Sequence, residues 1–135
     1  MRNLFFLFSI LIFMAACSKE EEKTFADNLE GQYIGELNEY ECNLEGEPIF
    51  TEPSTILVTK VSDTEVTFSI DSGSGLNLDF SGTISPDSLI VISEFSDGGT
   101  TYSGSARKNG SLTVSLGDGC NFAGIRLAKY RFVEN

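Results

Sequence analysis

Glu65–Ile84 reads EVTFSIDSGSGLNLDFSGTI, and its alternation decides the fold class. Val66, Phe68 and Ile70 alternate with Glu65, Thr67 and Ser69, and Leu76, Leu78, Phe80 and Ile84 alternate with Asn77, Asp79, Ser81 and Thr83. A hydrophobic period of two puts one face of a strand on a core and the other in water. Ser72-Gly73-Ser74-Gly75 between the two runs is turn chemistry, so the stretch reads as an antiparallel hairpin. The same alternation recurs in Leu112, Val114 and Leu116. Turn signals stand at Ser62-Asp63, Pro86-Asp87, Asp97-Gly98-Gly99, Asn109-Gly110 and Asp118-Gly119, Asn109-Gly110 being the strongest. The pattern predicts about eight strands, near 32–40, 54–61, 64–71, 76–84, 88–95, 100–107, 111–116 and 120–132. Short connections predict a meander, with one long acidic loop over 41–53 and helix limited to a turn near Phe25–Leu29.

An aromatic-x-Gly step occurs at Tyr33-Gly35, Phe80-Gly82, Tyr102-Gly104 and Phe122-Gly124. Both residues of each step lie on one strand face. Glycine in a strand marks a sharp bend, and an aromatic two residues away is placed to cover it. These steps favour a small antiparallel up-and-down barrel over a β-sandwich. A barrel of eight short strands either fills with side chains or holds one small ligand. Phe50, Phe68, Phe80, Phe95, Phe122 and Phe132 would consume much of the interior.

The other end of the argument is the N-terminus. Arg2 precedes the apolar run from Leu4 to Met14, and Ala15-Ala16-Cys17 follows. The run is too short to span a bilayer as a helix and has the layout of a secretory signal. Met14-Ala15-Ala16-Cys17 resembles the bacterial lipobox, which implies cleavage after residue 16 and acyl chains on Cys17. Ordinary cleavage near Ala16 or an uncleaved anchor are the alternatives. Ser18-Lys19-Glu20-Glu21-Glu22 then resembles the acidic export signal of Bacteroidota lipoproteins, implying an outer-membrane lipoprotein exposed at the cell surface. A solvated spacer on a periplasm-facing protein is the plainer reading. The expected organisation is a signal peptide over 1–16, a lipidated cysteine and tether over 17–28, and one barrel domain over 29–135.

Composition narrows the function. Losing Arg2 with the signal takes the formal charge from −11 to −12, which argues against nucleic-acid partners. Cys42 and Cys120 remain, and in an exported chain the simplest expectation is a disulfide. It would close a long loop and contribute on the order of 4 kcal/mol. Histidine is absent, which removes Ser-His-Asp and Cys-His nucleophile systems and leaves no complete zinc shell. No cofactor or metal is expected. Calcium at Asp71–Gly75 with Asp79 is weighed against ordinary turn chemistry, which these residues suit better. Glu36, Glu39, Glu41, Glu45, Glu47 and Glu52 leave a carboxylate-dependent glycan hydrolase as a minor reading, with solvated surface glutamates as the plainer one.

Gly31-Gln32-Tyr33 opening the first strand and Phe122-Ala123-Gly124-Ile125-Arg126 in the last resemble lipocalin-like, or calycin-like, small barrels. Lipocalins open with Gly-x-Trp and close with a basic side chain packed on that ring. The resemblance implies Tyr33 and Arg126 in those parts, with tyrosine replacing tryptophan. The leading expectation is a non-catalytic, lipid-anchored binding module that meets a protein partner through rim residues Tyr40, Glu41, Glu45 and Glu47. A lipocalin-type carrier of a small apolar ligand is the alternative.

Overall fold

A computed structural model describes residues 22–41, 47–118, 121–122, 125–126 and 130–135. The expectations for Cys17, Ser18, Lys19, Glu20, Glu21, Cys42, Glu45, Cys120 and Gly124 lie outside the described residues, as does the Cys42–Cys120 bridge. For Phe122 and Arg126 only backbone pairing is described.

The elements run α1 (Phe25–Leu29), β1 (Gly31–Glu39), β2 (Phe50–Ser62), β3 (Glu65–Ser72), β4 (Asn77–Ile84), β5 (Ile90–Asp97), β6 (Thr100–Asn109), β7 (Ser111–Gly117), β8 (Asn121–Phe122), β9 (Ile125–Arg126) and β10 (Tyr130–Glu134). Eight of the strands close an antiparallel barrel in the order β1-β10-β7-β6-β5-β4-β3-β2. Sequential strands pair throughout, except that β10 closes the ring between β7 and β1, with Phe132 opposite both Val114 and Leu37. The alternation works as expected: β3 and β4 bury Val66, Phe68, Ile70, Leu78 and Phe80 and turn the intervening polar residues to water.

Three boundaries differ from the expectation. The expected strand over 120–132 is instead β8 paired with β9 in a sheet of their own, followed by β10. Residues 121–127 carry apolar side chains at both parities, so no single face runs through them. Second, β2 begins at Phe50 rather than 54 and runs through Pro53. Pro53 is tolerated because β2 pairs with β3 only from Ser54 onward, so residues 50–53 have one open side. Third, the folded unit takes in residues 24–28, which composition assigns to the tether, because α1 packs Ala26 and Leu29 fully into the core.

The aromatic-x-Gly steps serve closure by a different route. A Cβ at Gly35 would strike the Val133 carbonyl and the Phe132 ring, and one at Gly104 would strike the Ser115 carbonyl. At Gly82 it would meet Phe68 and Ile90. At Gly35 and Gly82 the ring that fills the gap comes from a neighbouring strand, Phe132 and Phe68 respectively, whereas at Gly104 the gap admits the neighbouring backbone. The β6–β7 hairpin does turn at Asn109-Gly110, with Asn109 opposite Ser111, and a two-residue type I′ turn forms at Gly98 (φ 56°) and Gly99 (φ 86°) between Asp97 and Thr100. At Asn109-Gly110 only the glycine has positive φ.

A bulge in β5 fills the interior. The register shifts between Ile92 and Phe95, so Phe95 turns inward where strict alternation would put Glu94. Phe95 then stacks between Phe80 (5.0 Å) and Tyr102 (5.3 Å), while Phe68 stacks on Phe80 at 5.1 Å and Tyr130 tilts against Tyr102 at 6.3 Å. This aromatic column runs along the inner face of the barrel from the buried Phe68 to the partly buried Tyr130.

Candidate functional site

The two ends of the barrel are built differently. One end receives the start of β1 and the β2–β3, β4–β5 and β6–β7 turns, and α1 seals it. Thr24 caps α1: its Oγ1 accepts from the Asp27 backbone N–H at 3.2 Å, and its N–H donates to the Asp27 carboxylate at 2.8 Å. Lys60 from β2 pins the helix through Asp27 (2.7 Å) and also meets Asp63 (2.8 Å). Hydrogen bonding to Lys60 holds the Asp27 carboxyl well below its ordinary 3.8, and hydrogen bonding to Asp27 and Asp63 pushes Lys60 up to about 12.

Tyr33 completes the seal. Its hydroxyl donates to the Leu29 carbonyl at 2.6 Å and accepts from Lys108 at 2.9 Å, with the Lys108 ammonium 4.5 Å from the ring centroid. The cation described on the opening aromatic is thus Lys108 of β6. The Arg126 side chain, expected there from the resemblance, lies outside the described side chains. Gly31 and Tyr33 accordingly serve the closed end and Gly35, Phe80, Gly82, Tyr102 and Gly104 the wall and core.

At the opposite end, the last residues of β1, the first of β2 and β10 and the β3–β4 turn enclose a cup of about 500 Å³. Its walls are Leu37, Glu39, Phe50, Leu76 and Tyr130, with Glu52, Ser74 and Gly75 completing the lining. Glu52 is the residue that composition misplaces. It was expected among solvated glutamates, yet it is only 7% exposed. The inward parity of β2 puts it there, in line with Ser54, Ile56 and Val58. Its carboxylate accepts from the Ser74 backbone N–H (2.7 Å) and Ser74 hydroxyl (2.7 Å). Burial alone would raise its pKa, but the hydrogen bonds from Ser74 and Ser72 prevail and hold it below its ordinary value. The Asp71–Gly75 segment is therefore a turn that clamps Glu52. Among the described residues, no group of three or more His, Cys, Asp or Glu side chains is arranged to hold a metal ion.

The expected rim residues flank the cup. Tyr40 is half-buried with the Arg131 guanidinium 5.9 Å from its ring centroid, and Glu41 and Glu47 are exposed. Phe50, expected inside, is 48% exposed at the cup wall, whereas Phe68, Phe80 and Phe132 are buried. Of the tyrosines, Tyr102 is buried and Tyr130 reaches the cup. Sequence reading missed Lys60 and Lys108, because nothing local distinguishes a surface lysine from one that pins a helix from another strand. No protein-family model matches the chain, and no curated protein or solved structure shows significant similarity to it. The class that the fold defines is a small, closed antiparallel β-barrel covered by α1 at one end and holding, among the described residues, a cup at the other.

Proposed function

We propose that this protein is a lipid-anchored, non-catalytic binding module of the cell envelope that presents the open end of its barrel away from the membrane. The observation that carries the reading is the opposition of the two ends. The chain enters the fold at Thr24, on the end sealed by α1, while the cup of Leu37, Phe50, Glu52 and Tyr130 opens at the other. With acyl chains on Cys17, residues 18–23 are the whole tether, and a chain of that length reaches about 20–25 Å at most. The sealed end is then held near the lipid, and the cup and the flanking Tyr40, Glu41 and Glu47 face outward. Surface display at the outer membrane follows from the same anchor if the acidic run at residues 18–22 acts in export.

A carrier with an apolar ligand deep in the barrel fits less well, because the Phe68–Phe80–Phe95–Tyr102 column fills that space. Binding at the open end needs no such rearrangement. The test is amide NMR of isotopically labelled, full-length lipoprotein during titration with envelope extract. Shifts confined to Leu37, Glu39, Phe50, Ser74, Leu76 and Tyr130 are expected, weakened by the double change Glu41→Gln and Glu47→Gln if the partner spans the rim. Shifts confined to the outer wall of β6 and β7, around Ser105 and Thr113, would contradict the proposal.

A further inference from the structure

The floor of the cup holds a negative charge for which the described residues supply no cation. Glu52 is 7% exposed, and its described partners are hydrogen-bond donors of the β3–β4 turn. The ion pairs described join Lys60 to Asp27 and Asp63 at the sealed end, on the far side of the molecule. Buried carboxylates are ordinarily paired, since desolvating an unpaired charge is costly.

The walls indicate what kind of cation fits. Phe50 and Tyr130 offer aromatic faces, which attract ammonium and guanidinium groups, and Leu37 and Leu76 offer apolar contact. A calcium ion would need six to eight oxygen ligands, and among the described residues no group of three or more carboxylates gathers here to supply them. The volume, about 500 Å³, lies within the range of small-molecule sites. The chain's overall negative charge draws cations toward it.

We propose that the cup binds an organic cation, an ammonium or guanidinium group seated against Glu52 with its apolar body between Phe50, Leu76 and Tyr130. The inference rests on the open end being the binding face and names the ligand chemistry it selects. That chemistry has two sources: a free small amine, or a lysine or arginine side chain of a peptide.

The experiment is calorimetric titration of the full-length lipoprotein in a non-ionic detergent. The probes are phenethylammonium chloride, neutral 2-phenylethanol, 3-phenylpropionate and the blocked tripeptide acetyl-Gly-Arg-Gly-amide. The ammonium ion is expected to bind at least about tenfold more tightly than the alcohol, the scale of one hydrogen bond to a charged group, and the carboxylate not at all. Glu52→Gln should remove that preference, and because Ser74 loses one of its carboxylate acceptors the variant should melt somewhat below wild type while staying folded at the assay temperature. Whichever of phenethylammonium and the tripeptide binds more tightly identifies the source. Equal affinity for ammonium and alcohol in the wild-type protein, or binding of neither phenethylammonium nor the tripeptide, overturns the inference without recourse to any variant. An unchanged ammonium preference in a folded Glu52→Gln protein overturns it too. If the alcohol or the carboxylate binds as tightly as the ammonium ion and, by NMR, shifts the Leu76 and Tyr130 amides, the open-end reading stands while the cation inference falls. Shifts confined to β6 and β7 remove both.

Discussion

Gly104 and Gly35 set how closely the strands of this barrel approach, and Phe68 sets what fills it. A side chain at Gly104 would overlap the Ser115 carbonyl, a backbone atom that cannot move without breaking the β6–β7 ladder. Gly104→Ala should therefore destabilise by about 1–3 kcal/mol or more, read as a fall in the denaturant midpoint at unchanged slope. Phe68 is 1% exposed and begins the aromatic column, so Phe68→Ala should cost about 3–5 kcal/mol. A loss under 1 kcal/mol would mean that the column is not packed as described. The bend glycines were legible at this scale because aromatic and glycine recur at i, i+2. Which aromatic each glycine accommodates was not legible, since Phe132 and Phe68 reach Gly35 and Gly82 from neighbouring strands. Glu52 was hidden for a related reason: Pro53 beside it argues for a loop, and only the pairing of residues 50–53 on a single side makes that proline harmless.

Among the elements, α1 is held by an ion pair whose contribution depends on pH. Asp27 has a depressed folded-state pKa, so its contribution is present above its ordinary 3.8 and is lost as pH falls through the lower folded value. Lys60 has a raised one, so its contribution is complete below its ordinary 10.5 and is lost as pH rises through about 12. The melting-temperature difference between wild type and Asp27→Asn should accordingly stay flat across neutral pH and shrink toward both extremes. A difference that changed steeply through neutral pH would contradict the Lys60–Asp27 clamp. Thr24→Ala removes the capping box and should cost about 1 kcal/mol, with the loss of protection concentrated in the α1 amides. Strands β3, β4 and β7 were legible from alternation alone, since each has one apolar face and a clear turn after it. The end of the chain was not, because residues 121–127 are apolar at both parities and nothing local says that β10 pairs with β1. The β5 bulge was equally invisible: it moves Phe95 rather than Glu94 inside because of packing against Phe80 and Tyr102.

At the scale of the molecule, a single asymmetry links architecture to proposed role. Helix α1, Lys60, Tyr33 and Lys108 close one end, and the other keeps a cup whose floor is Glu52. Closure itself could be anticipated from the glycine steps and strand count. Which end is open could not, because it depends on α1 folding under the barrel and on Lys108 reaching Tyr33 from the far side of the sheet. The most direct test of this account is to place the acylated protein in nanodiscs containing a gadolinium-chelating lipid and measure paramagnetic relaxation of its amides. Strong enhancement at Asn28, Thr64 and Asn109, with little at Ser74 and Gly98, is the predicted result. Enhancement equal at both ends, or strongest at Ser74 and Gly98, would contradict a barrel sealed toward the membrane and open away from it.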